Sequence, residues 1–249
     1  MRIQVFGPNG MLGSAVVAAL LRRGHEWEDN YADLEVVMPG HIHAPVVINC
    51  AGLVKQRHYS AGRFMLTNAV GPHRLADACH GARARLIHVS TDCVFWGPGP
   101  HREWDAVDCE DTYGRSKFAG EIYQPPHLTV RTSFVGFSSR GLITDLSGAG
   151  PVRASNRLLW SGHTVDTVAD ALITLAEHDA VSGLLHLPGE FQSRWELCQA
   201  LIERFDLPAR VIRDDEYEAD RRLVSKWWDG WGLSALPSFA VQLETMERP

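Results

Sequence analysis

Short apolar runs alternate along the chain with longer amphipathic ones. Residues 3–6 form an apolar strand that enters Gly7-Pro8-Asn9-Gly10-Met11-Leu12-Gly13 and then the helical run SAVVAALLRR, closed by Gly24. The segment HEWEDN holds a second strand, and residues 46–49 and 86–89 are apolar runs of buried-strand type. The connection between residues 30 and 45 is short, with room for no more than a small helix at 32–38 before Pro39-Gly40 breaks it. Residues 61–80 have helical spacing, with Phe64, Leu66, Ala69, Leu75 and Ala78 as core positions and a kink or split at Gly71-Pro72. A further strand occupies residues 128–131. Strands alternating with helices in this way predict an open α/β sheet.

After Gly136 the texture changes to SSRGLITDLSGAGPVRASNR, rich in Gly, Ser and Arg, which marks the passage into a second, smaller lobe. That lobe offers a strand at 158–160, a helix at 165–177, a strand at 184–187, a helix at 195–205, a strand at 209–213 and a final helix at 237–246. The division is therefore residues 1–136 and, mainly, 137–249, with some later segments free to return to the first part. Trp227, Trp228 and Trp231 are read as packing residues rather than ligand contacts.

Composition narrows the function classes. A chain of 249 residues, 45% apolar and 22% charged, can bury one substantial core and a smaller lobe. A net charge of -6 and a pI near 6.0 argue against broad electrostatic binding to nucleic acid or to an anionic membrane. The opening MRIQVFGPNG lacks the layout of a secretion signal, and no apolar run approaches a membrane span. The five cysteines have no C-x-x-C spacing, so reduced thiols in a cytoplasmic protein are expected. His41 and His43 are the closest histidine pair, and without a spaced Cys or carboxylate they predict no metal.

The candidate chemistry sits in two stretches. Glycines at 7, 10 and 13 between a strand and a helix suit a dinucleotide: a tight turn, close approach of a pyrophosphate, and close helix packing. Asp29 lies where an acid holds an adenosine ribose, or is only a solvated turn residue. Arg22 and Arg23 nearby would attract a 2′-phosphate, so NAD and NADP both stay open. Cys50-Ala51-Gly52 after the third strand are small enough for a backbone passing close to a ligand.

The second stretch is LIHVSTDCVFWG followed by TYGRSKFAGE. Ser90, Thr91 and Asp92 fall at the carboxyl end of a strand, where open α/β sheets bind ligands. Tyr113 and Lys117 are one helical turn apart and share a face. Thr91 would hydrogen-bond a carbonyl or alcohol oxygen while Tyr113 exchanges the proton, its anion stabilised by a neighbouring ammonium and a cationic nicotinamide. Ser90 and Asp92 support the turn first and contact ligands second. Asn68, among apolar neighbours, either satisfies backbone groups or holds a water or the lysine near the crevice. Arg153, Arg157, Arg221 and Arg222 offer a bidentate cradle for a diphosphate.

FGPNGMLG, VINCAG, NAVGPHRLADAC, HVSTDCVFWG, YGRSKFAGE and RTSFVG occur in the order seen in extended short-chain dehydrogenase/reductases. As a set they most resemble the dTDP-4-dehydrorhamnose reductase branch, closely over residues 1–136 and more loosely through SGHTVDTVADAL and SGLLHLPGE. The resemblance implies a Rossmann-type doubly wound parallel sheet carrying NADPH or NADH, with a small C-terminal α/β lobe for a nucleotide-sugar. It implies that Thr91 orients the sugar carbonyl, that Tyr113 donates the proton, and that Lys117 binds the nicotinamide ribose and lowers the tyrosine pKa. Gly7, Asn9, Gly10, Met11, Leu12 and Gly13 would meet the pyrophosphate, and Asp29 the ribose. Asp33-Leu34 resembles the pair beside the adenine, Cys50, Ala51 and Gly52 would line the cofactor channel, and Asn68 and Ser90 would support it. Asp92, Cys93, Phe134, Arg157 and Arg221 would face the substrate.

The chain departs from the family pattern at three points. Cys93 replaces the tyrosine of STDYVF, the region between the second and third strands is shortened, and the acids that bind magnesium in some members have no counterpart after Gly52. The resemblance implies reduction of a 4-keto-6-deoxy sugar nucleotide in deoxysugar biosynthesis, with a homodimer common. Two alternatives stand beside it: a nucleotide-sugar epimerase with retained NAD, and a non-catalytic NAD(P)-binding regulatory subunit of the same fold.

Overall fold

The computed structural model describes residues 1–57, 59–148, 150–230, 233 and 235–248, with the backbone alone at 57 and 229. Trp231 lies outside the described residues. Five strands come first: β1 (Arg2–Phe6), β2 (Glu26–Asn30), β3 (Val46–Asn49), β4 (Arg85–Thr91) and β5 (Leu128–Thr132). With the later strand Gly183–His186 they make a six-stranded parallel sheet, in the spatial order 183–186, β5, β4, β3, β1, β2. Every residue of β3, β4 and β5 is buried, as expected of parallel strands covered on both faces. The strand order reverses between β1 and β3, so a crevice opens there beyond the carboxyl ends.

Helix α1 (Met11–Arg22) covers one face with Leu12, Val16, Ala19 and Leu20 buried. The helix Val165–Glu177 packs beside it, and Val168, Leu172, Ile173 and Leu175 share one core with Ile3, Val5 and Val16. Both this helix and the strand Gly183–His186, which the sequence had placed in the second lobe, return to the main sheet. Apolar faces need partners, and theirs are α1 and β5, far earlier in the chain.

The opposite face is covered by α2 (Ala61–Met65), a π-turn at Leu66–Val70, and α3 (Gly71–Gly81). The expected break at Gly71-Pro72 is absent: Gly71 is helical and Pro72 sits in the first turn of α3. The irregularity comes one turn earlier. Pro72 has no N–H for the carbonyl of Asn68, and that carbonyl lies against Gly120, where a Cβ would come within 2.0 Å of it. The π-turn also turns Leu66 outward, so it is exposed rather than core.

The helix expected at 32–38 does not form. Asn30 Oδ1 accepts from Ala32 N and Asp33 Oδ1 from Glu35 N, local bonds that compete with a helix. A 3-10 turn at Pro39–His41 follows, and Leu34, Val37 and Ile42 still reach the core beneath α3.

The smaller lobe contains the helices Leu142–Ser147 and Arg194–Phe205 around Leu146, Trp160, Leu197, Leu201 and Phe205, with the final helix Phe239–Thr245 against them. Trp228 is buried in the main core. Among the described residues no helix is long and apolar enough to cross a membrane.

Candidate active site

A cleft of about 920 Å³ runs from the glycine turn to the smaller lobe. At one end Gly7 has φ +76°, and a Cβ there would stand 2.8 Å from the Ala51 backbone; a Cβ on Gly13 would stand 2.0 Å from the Gly7 carbonyl oxygen. β1, β3 and α1 therefore meet backbone to backbone at the point where the strand order reverses. Gly10 is the N-cap of α1 and brings no side chain to cap it. Asn9, Gly10, Met11 and Leu12 line the cleft, so the free N–H groups of this helix end face an anion site. These features fit a dinucleotide pyrophosphate.

In the middle, β4 ends at Thr91, beside Thr132 of β5. The Thr91 hydroxyl accepts from Cys93 N at 3.1 Å and donates to Asp92 Oδ1 at 3.2 Å, starting the short turn Asp92–Val94. The next helix, α4 (Thr112–Ala119), is capped by Asp111, whose carboxylate accepts from Gly114 N at 2.7 Å and pairs with Lys55. Tyr113 and Lys117 both line the cleft from one face of α4. The Tyr113 ring meets the edge of Phe64 at 6.2 Å, and Lys55 Nζ lies 5.4 Å from its centre. Lys117 Nζ donates to the Val89 carbonyl at 2.7 Å.

Burial sets the protonation states. It raises Tyr113 above the ordinary phenol value, with Cys93 adding to it and the Thr91 hydroxyl opposing it. Burial is the largest effect on Tyr113, and it keeps the phenol protonated. Lys117 is itself pushed down to about 8 by burial, against the pull of Glu121 and Cys50. Asp92 is raised by burial despite Arg221.

The other expected residues divide. Cys50, Ala51, Gly52, Asp92, Cys93, Phe134 and Arg221 line the cleft. Ser90 does too, but its hydroxyl is spent on Glu121 at 2.6 Å. Asn68 does not: its amide accepts from Leu53 N at 2.7 Å and donates to the Leu53 carbonyl and to Ser116, so it satisfies backbone rather than holding Lys117. Leu34 is 3% exposed and belongs to the core, and Asp33 binds its own turn, so neither borders the cleft. Asp29 is an exposed residue at the end of β2, level with Val5 and outside the cleft lining. Arg22 and Arg23 pair with Asp170 and Glu177 on the surface and are not part of the cleft lining.

The four-arginine cradle shrinks as well. Arg157 pairs with Glu218 on the surface and Arg222 with Asp220, both outside the lining; Arg153 lines the cleft but pairs with Asp214. Arg221 sits inside, 3.4 Å from Cys93 Sγ and 3.3 Å from the Tyr217 hydroxyl, with its Nε unpartnered. Two residues not anticipated from the sequence also line the cleft: Arg194, at the start of its helix, and Lys55. The capping box Ser193/Glu196 was the available signal for the first, since it fixes where that helix begins.

The model of the RmlD substrate binding domain family matches residues 1–220. A dTDP-4-dehydrorhamnose reductase of Mycobacterium tuberculosis is 32% identical, over 98% of this chain and 91% of the relative. Among solved structures, a hypothetical dTDP-4-dehydrorhamnose reductase from Sulfolobus tokodaii superimposes with a TM-score of 0.84 at 24% identity, covering 100% of both chains. The enzyme from Bacillus anthracis in complex with NADP gives 0.83 at 20% identity, covering 98% of this chain and 97% of that one. With that family model matching most of its length, the chain belongs to the RmlD substrate binding domain family.

Proposed function

We propose that the protein reduces the ketone of a 4-keto-6-deoxy sugar nucleotide, with NADPH or NADH as reductant, as a step of deoxysugar biosynthesis. The observation that carries this reading is the convergence of Thr91, Tyr113 and Lys117 on one cleft between the glycine turn and Arg221. The names of the relatives, dTDP-4-dehydrorhamnose reductase and dTDP-4-keto-6-deoxy-D-glucose reductase among them, support it.

The turn from Gly7 to Gly13 and the start of α1 would hold the cofactor pyrophosphate, and Cys50 to Gly52 would border its path. When bound there, the reduced nicotinamide would supply the hydride. Thr91 orients the substrate oxygen, and Tyr113, kept protonated by burial, gives that oxygen its proton as the carbonyl becomes an alcohol. Lys117, fixed on the Val89 carbonyl, would hold the cofactor ribose. Arg221 and Arg194 face the sugar-nucleotide phosphates from the lobe.

The experiment is oxidation of NADH and NADPH by a panel of 4-keto sugar nucleotides, comparing wild type with Tyr113→Phe. The variant should bind cofactor as before and lose turnover by about 10²- to 10⁴-fold. Substantial reductase activity in Tyr113→Phe would sink the assignment; turnover with retained NAD and no added reductant would make the protein an epimerase instead.

A further inference from the structure

Behind the cleft lies a buried acid that the reduction so far does not use. Glu121 follows the end of α4, its side chain is 0% exposed, and both of its oxygens are engaged. Oε1 accepts from the Ser90 hydroxyl at 2.6 Å and from Arg131 Nε at 2.8 Å. Oε2 accepts from Arg131 Nη2 at 2.7 Å and from the Tyr123 hydroxyl at 2.6 Å. One residue before Ser90, the Val89 carbonyl takes the Lys117 ammonium. The two residues that precede Thr91 are thus gripped from one helix end, by a cation at the backbone of 89 and an anion at the side chain of 90.

We propose that Glu121 is a positioning residue: through Ser90 it fixes the end of β4 that carries Thr91, and it is the anionic partner of Lys117 at that strand end. This rests on the reductase reading above.

The charge on Lys117 depends on the groups that act on it. Cys50, beyond β3, is pushed up to about 12 by burial and is a neutral thiol at working pH. His88, on β4, is held neutral by burial, with Lys117 and His73 adding to the effect. Tyr113, on the same helix, is neutral as well. Of Glu121 and Cys50, the two groups that pull Lys117 up against burial, Glu121 is the anion. Arg131, 2% exposed at its side chain, pairs with Glu121 and lies outside the cleft lining.

The test uses the chain's three lysines, Lys55, Lys117 and Lys226. Protein labelled with ¹³C at lysine Cε gives one titration per lysine by NMR, and Lys117→Arg assigns the site by the signal that disappears. Glu121→Gln should move the Lys117 midpoint down by about one unit or more, and the alkaline limb of kcat/KM should follow it. Tyr123→Phe, which removes a hydrogen bond and leaves the charge, should move neither. Because Glu121→Gln strands Arg131 in the core and can block folding, the double variant Glu121→Gln/Arg131→Met is made in parallel, with a smaller downward shift expected because a cation is lost together with the acid. An unmoved Lys117 midpoint in whichever variant folds overturns the proposal. A shifted midpoint in a protein that reduces no ketone supports the placement of Glu121 and overturns the reaction instead.

Discussion

Gly13→Ala adds one methyl group at the tightest backbone crossing of the cleft. The new Cβ would lie 2.0 Å from the Gly7 carbonyl oxygen, 2.8 Å from its carbonyl carbon and 2.9 Å from Pro8 Cα. None of these is the end of a side chain that can swing aside, so α1 or the turn must give by more than an ångström. Overpacking of this kind costs about 1–3 kcal/mol, and in a chain of this length each kcal/mol lowers Tm by roughly 2–4 °C. Thermal unfolding should therefore show a fall of several degrees. Gly10→Ala is the matched control: its nearest neighbour would be Gly7 O at 3.4 Å, an ordinary contact, and its φ of -78° suits any residue. Its stability should change by less than about 1 kcal/mol. That methyl, however, stands where a pyrophosphate would approach, so NADPH or NADH affinity by fluorescence titration should drop at least about tenfold. A Gly13→Ala protein that melts with the wild type would refute the crossing geometry. Unchanged cofactor affinity in Gly10→Ala would refute the placement of the phosphates.

Two further outcomes are expected. Arg221→Ala should raise KM for the sugar nucleotide by tenfold or more, since a charged hydrogen bond contributes about 1.5–3 kcal/mol, whereas Arg157→Ala, which loses only an exposed ion pair, should leave KM nearly as it was; equal effects would undo the division between the two. His163 and His186 are pushed down by burial, to about 4 and about 3, from an ordinary 6.5. Below 6.5 the unfolded chain binds protons at these positions while the folded chain does not, so stability falls as the pH drops toward 4. Urea midpoints measured from pH 7 to pH 4 check this, and a flat profile, or one equally steep in His163→Gln, counts against it.

Much of the site was legible because its signals are local. A strand, three glycines at fixed spacing and a helix define the phosphate turn without reference to the rest of the chain, and Tyr113 and Lys117 share a face by helical geometry alone. Other features depended on distant partners. Arg157 and Arg221 are equivalent in sequence, and only the fold gives the first to Glu218 and the second to Cys93 and Tyr217. Arg131 read as an ordinary strand residue, yet it pairs with Glu121 beyond the end of α4. The helix at 165–177 was legible in type and in bounds; its partner α1 was not, because periodicity marks an apolar face and not what covers it.

That pairing has a consequence for where the chain can be divided. The edge of the main sheet beside β5 is completed by residues 183–186, and the face of α1 by residues 165–177. During synthesis the N-terminal 136 residues would leave the ribosome with one strand edge open and an apolar helix face bare. The stretch that begins the smaller lobe is threaded between two halves of one core. The boundary suggested by sequence texture at Gly136 is therefore a change of scenery along the chain, and not a seam at which the protein comes apart.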